Sequence, residues 1–247
     1  LSLSSASAAS EVYKSQPYGG IRDLEAGILR CVGNPAERFS EDALRIIRCL
    51  RFASVLGFQI EPATQASAQE LRQGLLQVSA ERVAKEFQKL LCGKHAAGTL
   101  RGNSEILFTI LPELAPMKGC EQETAHHLYD VWEHTLHALE HAAAKFSVRF
   151  ALLLHDSGKP EAKTYGSDGA AHFYGHARYS AALCRKIAER LRLPNRFQDS
   201  VSRLVLYHDT PLPMKEAKIR KLLVLLGEEG FLDLLEVMHG DSFAHSA

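Results

Sequence analysis

Apolar residues along this chain recur at spacings of three and four, which predicts helices almost throughout. In "SEDALRIIRCLRFASVLG", Leu44, Ile47, Leu50 and Val55 can form one stripe. Ser40 reads as its N-cap, acidic residues fill its first turn, and Gly57 stops it. "SAERVAKEFQKLLCG" repeats the plan, with Ser79 as cap, Val83, Phe87 and Leu90 as the packed face, and Gly93 as the stop. The same spacing predicts helices near 63–76, 128–145, 147–157, 176–192, 197–208, 215–226 and 229–244. Strand signal is weak. At most, "KTYGSDGAAHFYGH" reads as a loop or a short hairpin between helices. The stretch from Leu111 to Glu123 is rich in Pro and Gly and reads as a seam. The expected fold is therefore all-α: two helical lobes joined near residue 118.

Composition adds little to this picture. The chain has 247 residues, enough for one large or two ordinary domains, and its formal net charge is zero. No global field draws it toward nucleic acid, so any such contact must be local. No apolar run reaches membrane-spanning length. Five widely spaced cysteines with no CxxC pair suit reduced thiols in a cytoplasmic protein. The opening "LSLSSASAAS" reads as a loop or a cut edge and the final "HGDSFAHSA" stops within a helical pattern, so the chain is expected to be a piece of something longer.

The histidines change the reading. There are twelve, and most follow residue 125. His134 lies on a predicted helix. His155 and Asp156 end the apolar run "ALLLHD". His176 opens a helix, His208 ends one, and Asp241 sits on the last. Each lies at or near a helix with an apolar stripe, so packing those helices can bring the polar groups together at one edge of the core. An imidazole and a carboxylate at the end of an apolar run are costly unless something binds them. Neutral imidazole plus carboxylate suits a divalent transition metal (Mn, Fe, Co, Ni or Zn) far better than calcium. Such a metal would acidify a bound water and polarise a phosphoryl oxygen.

The run "HHLYDVWEHTLHAL…RFALLLHDSGKP…HFYGHARYSAALC…YHD…GDSFAH" resembles an HD domain, the helical metal-dependent phosphohydrolase superfamily. The resemblance implies a pattern H…HD…D on His134, His155, Asp156 and Asp241. Members holding two metals add two histidines, and His176 and His208 stand where those would be. Lys159 resembles the family's basic residue near the phosphate, which makes His155, Asp156 and Lys159 the implied catalytic set. Ser157 occupies a place that is often apolar.

In the first lobe Arg45, Arg48 and Arg51 recur every three residues, with Asp42 one turn before Arg45. Residue physics alone favours an intrahelical ion pair worth a few tenths of a kcal/mol. "YGGIRDLEAGILRCVGNPAERFSEDALRIIRCLRFASVLGF", however, resembles the neck of bacterial class II tRNA nucleotidyltransferases, the CCA-adding enzymes and their poly(A) polymerase relatives. "EDALR" matches that family's EDxxR motif. The resemblance implies that Asp42 and Arg45 pair with the base of CTP or ATP, with Arg48 toward phosphate or the core. It also implies that Glu81, Arg82 and Glu86 brace the recognition helix. The implied domains are a head remnant at 1–35, a neck at 36–118 and an HD domain at 119–247.

The family's Gly-Ser loop, DxD carboxylate pair and RRD motif, which hold Mg in the head, do not occur in this sequence, so nucleotide addition is not expected from this chain alone. Three functions remain open. One is a piece of a tRNA nucleotidyltransferase acting on the tRNA 3′ end, with an HD phosphoesterase. The second is a free-standing HD phosphohydrolase acting on nucleotides or 2′,3′-cyclic phosphates. The third is a non-catalytic helical RNA-binding module.

Overall fold

The computed structural model describes residues 19–122, 129–167 and 169–245. The head remnant expected over 1–35 thus lies largely outside the described residues. What is described of it is helix α1 (Gly20–Ala26) and a short strand, β1 (Ile28–Leu29). The next helices are α2 (Pro35–Glu41) and α3 (Leu44–Leu56). Strand β2 (Gln59–Ile60) pairs in parallel with β1, and α4 (Pro62–Glu70) continues into a 3-10 turn over Arg72–Gln77. Helix α5 (Ala80–Leu91), α6 (Ala96–Gly102), α7 (Ser104–Ile110) and a 3-10 turn over Pro112–Met117 complete the first lobe.

The second lobe holds α8 (Val131–Glu140), α9 (Phe146–Leu154) and the single turn α10 (Lys159–Ala162). A two-stranded antiparallel hairpin follows, β3 (Thr164–Tyr165) against β4 (Ala171–His172). Then come α11 (His176–Arg190), α12 (Asn195–Tyr207) and α13 (Glu216–His245). Helix α13 is two arms meeting at Gly227, whose φ of 72° and ψ of 173° leave the helical region. That break separates the two helices expected at 215–226 and 229–244.

The all-α expectation holds, and three local readings change. Ser40 is no N-cap: it closes α2, with its hydroxyl donating to the Ala36 carbonyl. The boundary falls at Asp42, which is extended (φ −152°, ψ 99°) and accepts the Leu44 N–H. Val55 is 48 % exposed and stands off the stripe, whereas Leu44, Ile47 and Leu50 are buried. Ser79 does sit at the head of α5, but its hydroxyl makes no capping bond.

One hydrophobic cluster runs through both lobes. Phe87 of α5 meets Phe150 of α9 edge-on, and Phe108 of α7 meets Trp132 of α8 in the same way. The buried Arg149 guanidinium joins the lobes through carbonyls. It donates to Leu91 and Gly93 at the end of α5, and to Ala142 and Ala143 after α8. Among the described residues no helix is long and apolar enough to cross a membrane. All five cysteines are free thiols.

Candidate metal centre

Four helix ends and one helix interior deliver the polar cluster. His155 and Asp156 follow the last turn of α9, where the apolar run Phe150–Leu154 is fully buried and holds the turn in place. His134 comes from α8, His176 begins α11, His208 ends α12, and Asp241 lies near the end of α13. Two close approaches make the meeting possible. A Cβ on Gly158 would sit 2.6 Å from the backbone of His176 and Ser180, so only glycine lets this turn lie against α11. Gly240 lies against Ala138 O and Leu152 on α8 and α9, which brings the next residue, Asp241, beside His134.

All six residues expected from the H…HD…H…H…D pattern converge. Asp156 is buried at the centre, and its two oxygens face opposite ways. Oδ2 lies 3.2 Å from His155 Nε2, 3.6 Å from His134 Nε2 and 2.7 Å from Lys159 Nζ. Oδ1 lies 3.3 Å from His176 Nε2 and 3.7 Å from His208 Nε2. Asp241 Oδ1 closes the first side, 2.8 Å from His134 Nε2 and 3.2 Å from His155 Nε2. Two overlapping sets therefore have ligand atoms close enough to share an ion: His134, His155 and Asp241, and His155, Asp156 and His208.

The hydrogen bonds on the far side of the rings decide what these nitrogens can do. Nδ1 of His155 lies 2.6 Å from Leu152 O, Nδ1 of His176 2.9 Å from Phe173 O, and Nδ1 of His208 2.7 Å from Val205 O. A carbonyl only accepts, so each Nδ1 carries a proton and each neutral ring presents an Nε2 lone pair to the cluster. Lone pairs then face lone pairs, as between His176 and His208 Nε2 at 3.3 Å, and face carboxylates. Such an arrangement calls for positive charge. Protons supply part of it here. Burial lowers the pKa of His155, but Asp156 and Asp241 outweigh that and raise it to about 10. Burial likewise opposes ionisation of Asp156, yet His155 and Lys159 hold its carboxyl well below the usual range. His134 differs: burial keeps its pKa low in spite of Asp241. The donor set fits a divalent cation of the borderline class.

Lys159, the residue that resembles the family's basic group near the phosphate, is buried and tied down. Its ammonium contacts Asp156 and donates to Gln122 Oε1 at 2.6 Å. Gln122 is a site residue the sequence did not reveal, since it lies in the Pro/Gly seam and belongs to no motif.

Residues 124–237 match the family described as "HD domain", and residues 57–118 match the one described as "Probable RNA and SrmB- binding site of polymerase A". An A-adding tRNA nucleotidyltransferase of Deinococcus radiodurans is 37% identical over 240 residues, which is 91% of this chain and 54% of that protein. The chain belongs to the tRNA nucleotidyltransferase family, from which it carries the neck and an HD domain. A Multifunctional CCA protein of Azoarcus sp. is 39% identical over 72% of this chain and 44% of its own length. The crystal structure of the Bacillus stearothermophilus CCA-adding enzyme in complex with CTP superposes with a TM-score of 0.61 at 25% identity, covering 93% of this chain and 51% of the other. The chain thus spans about half the length of the tRNA nucleotidyltransferases it matches.

In the nucleotidyltransferase neck, Asp42 and Arg45 do not pair with each other. Asp42 Oδ2 receives Arg82 of α5 at 2.8 Å, and the carboxyl stays below its usual range although desolvation opposes this. Arg45 instead donates to Glu41 and to the Arg38 carbonyl. The non-helical kink at Asp42 puts the two on different paths, which overturns the intrahelical pair. Arg48 and Arg51 both contact Glu86, each at 3.2 Å. Arg82 therefore ties α5 to the α2–α3 junction and Glu86 ties it to α3, while Glu81 reaches Arg192, just past the end of α11.

Proposed function

We propose that this chain's HD site is a divalent-metal phosphohydrolase within a tRNA nucleotidyltransferase. The observation that carries this reading is the one carboxylate, Asp156, facing imidazole Nε2 atoms on both of its oxygens. His134, His155, Asp156 and Asp241 would hold one ion. His176 and His208 would hold a second, with Asp156 shared between them. A divalent cation bound there supplies Lewis acidity toward a phosphoryl oxygen and an acidic water. The chain's own groups do the rest. The carbonyls of Leu152, Phe173 and Val205 hold the histidines in their lone-pair tautomer. With an ion bound there, the Lys159 ammonium, which also donates to Gln122 Oε1, would be available to the anionic substrate. Buried walls around His155 and Asp156 exclude bulk water and strengthen these contacts.

The neck supports a second, compatible role. Asp42 and Arg82 line a cavity of ≈ 660 Å³ between α2, α4 and α5. In the full-length protein, with Mg in the head, Asp42 and Arg45 would read the base of CTP or ATP against the tRNA 3′ end, with Arg48 behind them. The chain alone would not add nucleotides.

The test is phosphate release or ring opening from a 2′,3′-cyclic nucleotide by the purified chain, loaded in turn with Mn, Fe, Co, Ni or Zn. Asp156→Ala should lose both bound metal and activity. Undiminished hydrolysis in that variant overturns the assignment. For the neck, Arg45→Ala in the full-length protein should disturb the choice between CTP and ATP, and unchanged incorporation rejects the base-reading role.

A further inference from the structure

The C-terminal end of α11 belongs to the second lobe but grips the first at two points. Arg190 donates to both oxygens of Glu113 and to the Ile110 carbonyl at the end of α7. Arg192, two residues on, places Nη1 2.6 Å from Glu81 Oε1 in the first turn of α5. This second contact is made from an unfavourable backbone. Arg192 has φ 53°, and among the described residues it is the one non-glycine residue with a positive φ. The turn explains the angle. Leu193 N–H donates to the Ala188 carbonyl and Arg192 N–H to the Glu189 carbonyl, a helix closure that ordinarily takes glycine at this place. An arginine bears strain there that glycine would not. The strained position is also the one from which a guanidinium reaches Glu81.

Glu81 stands where that reach matters. Ser79 makes no capping bond, so the start of α5 lacks the usual side-chain tie. The Glu81 carboxyl sits in that first turn, held below its ordinary range by its own backbone N–H and then by Arg192. The next residue, Arg82, donates to Asp42 Oδ2 at 2.8 Å. Glu86, about one turn further along, takes Arg48 and Arg51 of α3. The succession Arg192, Glu81, Arg82, Asp42 thus runs from the second lobe to the kink between α2 and α3.

We infer that Arg192 is a positioning residue for nucleotide selection: through Glu81 it fixes the start of α5, and with it the Arg82–Asp42 pair. This rests on the base-reading role proposed above for Asp42 and Arg45. The HD lobe then has a second task besides its own site, which is to hold the neck's reading edge in register. Both partners of the bridge are exposed, and an exposed pair shifts an equilibrium by roughly 1.4- to 5-fold. Its effect on selection cannot exceed that range.

The test has two arms. In this chain, Arg192→Gly removes the side chain and relieves the turn together, so the variant should fold and its Tm should hold. A clear drop makes Arg192 a plain stability contact and overturns the inference. The amides of Arg82 and Val83, both bonded to the Ser79 carbonyl, should exchange hydrogen roughly 1.4- to 5-fold faster, and Arg192→Lys, which keeps the charge, should restore most of their protection. Unchanged exchange in Arg192→Gly overturns the inference. In the full-length protein, Arg192→Gly should narrow the ratio of kcat/KM for CTP and ATP within the same range, and Arg192→Lys should keep the wild-type ratio. An equal fall for both nucleotides, or an unchanged ratio where Arg45→Ala does change it, overturns the positioning role. If Arg45→Ala itself leaves the ratio unchanged, the base-reading role fails by itself. Arg192 is then judged by exchange alone: faster exchange at Arg82 and Val83 supports its hold on α5, and unchanged exchange rejects it.

Discussion

Asp156→Asn keeps the volume of a buried side chain and removes its charge. In the native cluster both oxygens are engaged, Oδ1 with His176 and His208, and Oδ2 with His155, His134 and Lys159. The exchange therefore strips the shared acceptor from both halves at once. It also leaves the Lys159 ammonium, 6% exposed, without its carboxylate, and breaking a buried pair in this way costs about 3–5 kcal/mol. The metal-free variant should melt lower for that reason alone. The informative quantity is the change on adding metal, each protein compared with itself, because the cost of the substitution then cancels. An ion at a hundred times its Kd stabilises by about 2.7 kcal/mol. At about 2–4 °C per kcal/mol for a chain of this size, saturating Mn, Co, Ni or Zn should raise the wild-type Tm by about 5–11 °C. Asp156→Asn should show no rise. The wild-type rise should shrink toward acid pH, since an imidazole must give up its proton to bind: each proton displaced lowers the apparent affinity about tenfold per pH unit. A variant stabilised by metal as much as the wild type would refute the shared-carboxylate argument.

Gly158→Ala should cost about 1–3 kcal/mol, because the new methyl meets the backbone of His176 and Ser180 and that segment must move; metal content after dialysis should fall with it. Arg190→Ala removes a two-pronged pair with Glu113 at 2.5 and 2.8 Å and, at 40% exposure, should cost about 1 kcal/mol in denaturant titrations at neutral pH. Arg190 holds the Glu113 carboxyl below its ordinary 4.5, so this contribution is present above that pH and is lost as pH falls through the lower folded value. The gap between wild type and variant should therefore close in acid. Arg149→Ala leaves the carbonyls of Leu91, Gly93, Ala142 and Ala143 without their buried donor and should cost on the order of 3 kcal/mol, measured by urea unfolding.

Much of the fold was legible where apolar residues repeat on one helical face, as at Val83, Phe87 and Leu90. Helices α6 and α7 carry little periodic signal: "AAGTLRG" is a short stretch with two glycines, and "SEILFTI" is buried on most sides and shows no polar face to give a period. Ser40 looked like a helix start because the residues that make it a helix end, Asn34 and Pro35, act from the turn before. The pairing of Asp42 with Arg82 and of Arg45 with Glu41 was invisible, since a kink at one residue redirects both side chains. Gln122 had no signal at all. It matters only because Lys159 happens to fold back onto it.

The chain alone determined which donors were available: four imidazoles and two carboxylates, each set at or beside a helix whose apolar stripe obliges it to pack. Their types already favoured a divalent cation over other ligands. Only the packed helices decided that Asp156 turns one oxygen to each pair of histidines and that backbone carbonyls fix the ring tautomers. Those facts depend on side-chain directions and on contacts such as Gly158 against α11, which arise between segments far apart in sequence and leave no periodic trace in either one.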